Sequence, residues 1–223
     1  MTPAWPEEAS AERRDVGQGH GPRVLGKIRH GSVGLVLWHR APPAHIAAWL
    51  DALPPAALPA CRLLLRPRQA SRALREALGL EASGASPELR WLADDVAALV
   101  RRFAEVAAEP AVDVALKVVE NDSCWRFHRD HTLLRLLTTY RGPGTQWVPA
   151  PRAEQALREQ RAYHGGLIEA PRFAVALFHG ALAPAAGAAA GGVVHRSPPI
   201  AGQGIARLLL RLGARSSPSP PPR

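Results

Sequence analysis

The hydrophobic period of the chain changes near residue 110, and that change restricts the fold more than any other feature. Upstream, "SPELRWLADDVAALVRRFAEVAA" (86–108) carries Leu89, Leu92, Val96, Leu99, Val100 and Phe103 on one helical stripe. Ser86 stands where a cap is needed and Pro87 falls in the first turn. Downstream, "VDVALKVVE" sets Val112, Val114, Leu116 and Val118 two residues apart, the period of a strand. Further strands are expected in "TLLRLLTTY" (132–140), "FAVALFH" (173–179), "GVVHRS" (192–197) and "ARLLLRL" (206–212). Before the long helix, "VGLVLWHR" (33–40) reads as a strand and "PPAHIAAWLDAL" (42–53) as a helix with proline at its start. Helices first and strands later predict an α+β fold with a largely antiparallel sheet or barrel.

At 223 residues the chain supports a single domain with a core that needs no staples. We expect that domain at 23–213, with a helical part at about 42–108 and a β part at about 112–213. Residues 1–22 and 214–223 are polar and rich in proline, glycine and charge, and are expected to be disordered tails. "RGPGT" (141–145) is expected to be a type II turn, and the alanine-glycine run at 180–192 a loop. No run of about 18 apolar residues predicts a membrane span, and no basic-then-apolar leader opens the chain. A cytoplasmic location with Cys61 and Cys124 reduced is the expectation. The net charge of +9 raises a nucleic-acid partner, but it is scattered arginine with only two lysines, so a solvated basic surface is the simpler reading.

Ligand-type side chains concentrate at "CWRFHRDH" (124–131). On an extended backbone His128 and Asp130 share one face, and His131 turns to the other. His195, on another expected strand, supplies a third ligand. Two imidazoles and one carboxylate are the donor set of the facial triad that leaves positions open on a non-haem Fe(II). Arg207 follows about a dozen residues later, alternating with apolar neighbours in "ARLLLRL". Arginines on one face of a strand cost energy unless they meet water or an anion, and one directed into a barrel can hold a carboxylate with two parallel bonds. Cys124 is expected to be a small buried apolar residue, and Tyr140 a core residue able to donate a hydrogen bond into a pocket.

The order His128, Asp130, His195, Arg207 resembles the 2-oxoglutarate-dependent oxygenases built on a double-stranded β-helix. More closely, "CWRFHRDHTLLRLLTTYRGPGTQWVP" and "VVHRSPP" resemble the uncharacterised bacterial family called domain of unknown function 1826. The resemblance covers roughly 90–212 and implies N-terminal helices packed on a cupin-like, jelly-roll-like barrel. It implies Fe(II) on His128, Asp130 and His195, and 2-oxoglutarate held by Arg207 with Tyr140 nearby. The substrate, a small molecule or a protein, is not implied. Two other functions stay open: a cupin-like metal protein without 2-oxoglutarate, and a non-enzymatic basic binding protein.

Overall fold

The structure, a computed structural model, describes residues 15–81, 84–184 and 191–214. A long helix, α3 (Pro87–Ala107), follows α1 (Ala44–Ala52) and α2 (Ala70–Ala77). Its cap forms as the sequence predicts: the Ser86 hydroxyl accepts from the Leu89 amide at 3.1 Å. Leu92, Val96, Leu99, Val100 and Phe103 are buried in the main core.

That core lies between the helices and one face of a seven-stranded sheet, ordered β1 (Val16–Gly19), β2 (Leu35–Trp38), β8 (Val175–His179), β5 (Leu134–Arg141), β10 (Arg207–Ala214), β4 (Val112–Val119) and β3 (Cys61–Leu65). Only the β1–β2 pair is parallel. A second, antiparallel sheet has the order β7 (Ile168–Glu169), β6 (Gln146–Trp147), β9 (His195–Arg196). One short helix, α4 (Ala153–Glu159), lies between β6 and β7 in sequence. Leu137, Trp147, Ile168 and Phe178 join the two sheets in a separate apolar cluster. The fold is therefore α+β with a large, mostly antiparallel sheet. No helix among the described residues is long and apolar enough to cross a membrane.

Strand alternation sorts the large sheet's two faces. Val114 and Leu116 of β4, Leu136 of β5 and Leu208, Leu210 and Leu212 of β10 enter the helix-side core. The odd-numbered positions of β4 and β10 turn the other way, which sends Lys117, Arg207, Leu209 and Arg211 toward the second sheet's side.

Three expectations are corrected. Three strands precede the long helix, so the chain is not helices first and strands later. β2 is the strand expected at 33–40, whereas β1 and β3 form the sheet's two edges, and their runs of 4–5 residues carry too little alternation to stand out. Val16–Gly19 falls within the expected disordered tail, yet it pairs along β2; its backbone hydrogen bonds order it despite its polar, glycine-rich composition. The rest of the tails, 1–14 and 215–223, and the loop core 185–190 lie outside the described residues. The "RGPGT" turn is not type II about Pro143 and Gly144, because the left-handed residue is Gly142, at φ +78°. Gly144 serves packing instead: a side chain there would collide with the Ala170 carbonyl.

Candidate metal centre

His128 lies outside any long strand, but it forms a β-bridge with His195. The two residues exchange both backbone bonds, each N–H donating to the other's carbonyl at 3.0 Å. This places the imidazoles side by side, with ring centroids 4.5 Å apart. Each Nδ1 lies against the carbonyl two residues before it: His128 on Arg126 at 2.8 Å and His195 on Val193 at 3.1 Å. A proton on Nδ1 donated to that carbonyl leaves the Nε2 lone pair free for a metal.

Asp130 completes the set. Its Oδ1 is 3.6 Å from His128 Nε2, and its Oδ2 is 3.9 Å from His195 Nε2. One donor atom from each of the three residues lies within 4.8 Å of the others. Arg135 of β5 donates from Nε to Oδ2 at 2.5 Å, which fixes the carboxylate and leaves Oδ1 as the freer oxygen. The Asp130 carbonyl in turn accepts from Thr132 and Ala181. Gly180 is required beside it, since a Cβ there would strike the carbonyl oxygens of Thr132 and Asp130.

The electrostatics suit ligation. Burial pushes the Asp130 carboxyl up, but His128, His195 and Arg135 outweigh it and hold the group well below the usual carboxylate range. Burial lowers the His195 pKa to about 4, so its imidazole is neutral near pH 7. At His128 the hydrogen bond to Asp130 raises the pKa against burial. Two nitrogens and one carboxylate oxygen, without sulfur, fit a first-row divalent transition metal. A closed zinc site needs a fourth protein ligand, and an all-oxygen calcium cage would not use imidazole.

The three ligands border a cavity of about 220 Å³, whose apolar wall includes Leu137 and Leu209. Ser197 and Thr145 lie on its lining, and so do Lys117 and Arg211. Arg207 is fully buried on β10. Its Nε donates to the Pro143 carbonyl at 2.8 Å, Nη1 to Ser197 Oγ at 2.9 Å and Nη2 to Thr139 Oγ1 at 3.4 Å. None of these partners carries charge, and burial lowers the guanidinium pKa to about 10. Arg207 itself does not line the cavity; Ser197 stands between its Nη1 and that space. The other two arginines of this region are paired, Arg135 with Asp130 and Arg211 with Asp113 at 2.7 Å.

The sequence thus names His128, Asp130, His195 and Arg207, and the structure brings the first three together with Arg207 one hydroxyl away. Two placements differ from expectation. Tyr140 belongs to the helix-side core, where its hydroxyl donates to Asp95 at 2.6 Å and its ring packs on Phe173. It is directed away from the cavity and is no cosubstrate ligand. Cys124 is exposed, not buried, because its left-handed backbone (φ +61°) turns the chain at the cavity rim. It is not in the ligand group, and His131 is exposed. Ser197 and Thr139 are additions that the structure makes to the site. Ser197 is within reach of sequence reasoning, since it stands two residues from His195 and so shares its face.

A large, mostly antiparallel sheet and a small antiparallel one, holding a two-histidine, one-carboxylate set beside a partly apolar cavity, define the class: an α+β protein with a candidate mononuclear metal centre. The chain belongs to the family described as protein of unknown function (DUF1826), whose model matches residues 19–213. No curated protein matches it. Among solved structures it is similar to the dioxygenase for auxin oxidation of rice, at 16% identity and TM-score 0.47, over 91% of this chain and 80% of that one. It is also similar to dioxygenase for auxin oxidation 1 of Arabidopsis thaliana in its 2-oxoglutarate complex, at 13% identity and TM-score 0.44, over 89% and 91% of the two chains. A prolyl-4-hydroxylase of Pseudomonas putida matches at 16% identity and TM-score 0.34, over 77% of this chain and 95% of that one.

Proposed function

We propose that the protein is a non-haem Fe(II)- and 2-oxoglutarate-dependent oxygenase. The observation that carries this reading is the convergence of His128, Asp130 and His195, each with a donor atom free on one side. The strand order supports it. From β4 to β10 the chain alternates between sheets: β4 in the large one, the His128 bridge in the small one, β5 in the large one, the β6–β7 hairpin in the small one, then β8, β9 and β10 in turn. We read these eight segments as a double-stranded β-helix with the site between its sheets.

His128, Asp130 and His195 would hold the iron and leave its remaining positions to ligands. When bound, iron and the keto acid would activate dioxygen, one oxygen atom going to the keto acid as it loses CO2 and the other into a C–H bond of the substrate. Arg207 has the chemistry to fix the far carboxylate of 2-oxoglutarate, because it is buried and its hydrogen bonds go only to neutral oxygens, while the nearby acid Glu169 acts on it through space without a bond. Ser197 would share that carboxylate, being bonded to Arg207 and exposed to the cavity. Leu137 and Leu209 keep the neighbouring space apolar and limit water around the reacting groups.

The test is anaerobic titration of the Fe(II)-loaded protein with 2-oxoglutarate. The expected result is saturable binding with a change in the metal's visible absorption. Metal binding without any response to 2-oxoglutarate would reject the oxygenase and favour a cupin-like metal protein.

A further inference from the structure

Arg211 occupies the face of β10 that Arg207 does, four residues further on, with Leu209 between them. At ~3.3 Å per residue their Cα atoms stand about 13 Å apart. The carboxylate carbons of 2-oxoglutarate are separated by four bonds of about 1.5 Å, at most about 6 Å. Asp113, which binds Arg211 Nη2, lies on β4 opposite Gly213, so the guanidinium is drawn further from Arg207. The two arginines therefore address different ligands.

The surroundings of Arg211 are built for an anion. Arg211 lines the cavity, and its Nε is a buried donor with no partner among the described residues. Four other side chains have such an atom (Arg40, Thr138, Trp147 and His179), but none of them lines this cavity. Lys117 sits directly across from Leu209 on β4 and also lines the cavity. Arg62 stands 3.9 Å from Asp113. Arg211 and Arg62 thus share the one carboxylate of Asp113, Lys117 has no ion pair among the described residues, and Leu209 and Leu137 make the stretch toward the metal ligands apolar.

Resting on the oxygenase reading, we propose that the substrate is a small amphiphilic anion. Its carboxylate or phosphate head is held by Arg211 and Lys117, and its apolar stem lies along Leu209 toward His128 and Asp130. An anion there balances the charge of Arg211 and Lys117, which line the cavity.

The full chain, loaded with Fe(II) and 2-oxoglutarate without oxygen, is titrated with hexanoate, hexyl phosphate and hexan-1-ol by calorimetry. At least one anion is expected to bind without displacing 2-oxoglutarate, with the alcohol about tenfold weaker or more. The better anion identifies the head group. Arg211→Met should weaken it about tenfold and Lys117→Met roughly two- to threefold, the smaller loss reflecting the exposure of Lys117. Both variants should keep wild-type 2-oxoglutarate binding. Lys117→Met changes an exposed position, so it serves if Arg211→Met fails to fold. The proposal is overturned if neither anion binds, if anion and alcohol bind alike, if the anion only displaces 2-oxoglutarate, or if the folded variants bind it as wild type does. If wild type ignores 2-oxoglutarate, the oxygenase reading falls. Hexanoate titrated into the Fe(II) protein alone, with and without Arg211→Met, then decides the anion position separately.

Discussion

Replacing Arg207 by methionine keeps much of the side chain's length and removes its charge. The guanidinium is fully buried and hydrogen-bonds only neutral oxygens, with Glu169 acting on it through space, so a carboxylate placed beside it gains a charge-assisted bond. Losing one partner of such a charge-assisted pair costs about 2–5 kcal/mol, a weakening of about 30-fold or more. At a 2-oxoglutarate concentration of about 100 times the wild-type Kd, ligand stabilises the wild type by about 2.7 kcal/mol and the variant by about 0.9 kcal/mol. For a chain of this size the ligand-induced rise in Tm should fall from about 5–11 °C to about 2–4 °C. The unliganded variant should lose little stability. Relief from burying a charge that is hydrogen-bonded only to neutral oxygens offsets the lost bonds to Pro143 and Ser197. The assay is thermal unfolding of the Fe(II) protein under nitrogen, with and without 2-oxoglutarate, beside a metal analysis that should not change. A variant with the full wild-type shift would refute the assignment of Arg207 as the anchor.

His128→Ala, Asp130→Ala and His195→Ala should each reduce bound metal to a small fraction of one per chain by elemental analysis, while His131→Ala should retain it; full occupancy in any of the first three would break the triad. Gly180→Ala should weaken metal binding roughly tenfold or more by displacing the carbonyls of Asp130 and Thr132, and an unchanged metal titration would show that this loop adapts. Tyr140→Phe removes a hydrogen bond to the Asp95 carboxylate and should cost about 1.5–3 kcal/mol in chemical denaturation, with 2-oxoglutarate affinity intact. Two thiols should label whether or not the protein is first reduced. Cys124 should react faster, because Cys61 is half-buried and burial pushes its thiol pKa up.

The elements that can be read from sequence are those whose period extends far enough to be distinctive. The stripe from Leu92 to Phe103 and the alternation from Val112 to Val118 are of this kind. The ligands are legible because imidazole and carboxylate on one face cost energy without a partner, and Arg207 because the same argument holds for a guanidinium among leucines. The second sheet is harder to read. β6, β7 and β9 are two residues each and take their order from pairing with distant partners, not from local pattern. Nearness in sequence to the ligands is a poor guide to Tyr140, since strand alternation places it with Leu136 on the helix side. The register shift between Leu208 and Leu209 against β5 occurs at that same point, and no sequence signal announces it.

His128 and His195 are 67 residues apart in sequence, and they meet through two backbone bonds that are not part of a long ladder. Such a contact forms only after the intervening chain has closed a large loop, a step whose entropy must be met before the pairing contributes anything. The metal centre is therefore a late product of folding. A metal ion recognises the finished pair and not the strands on the way to it. Its presence should slow unfolding far more than it speeds folding, so a bound ion would lengthen the life of the native protein and leave the rate of its birth almost unchanged.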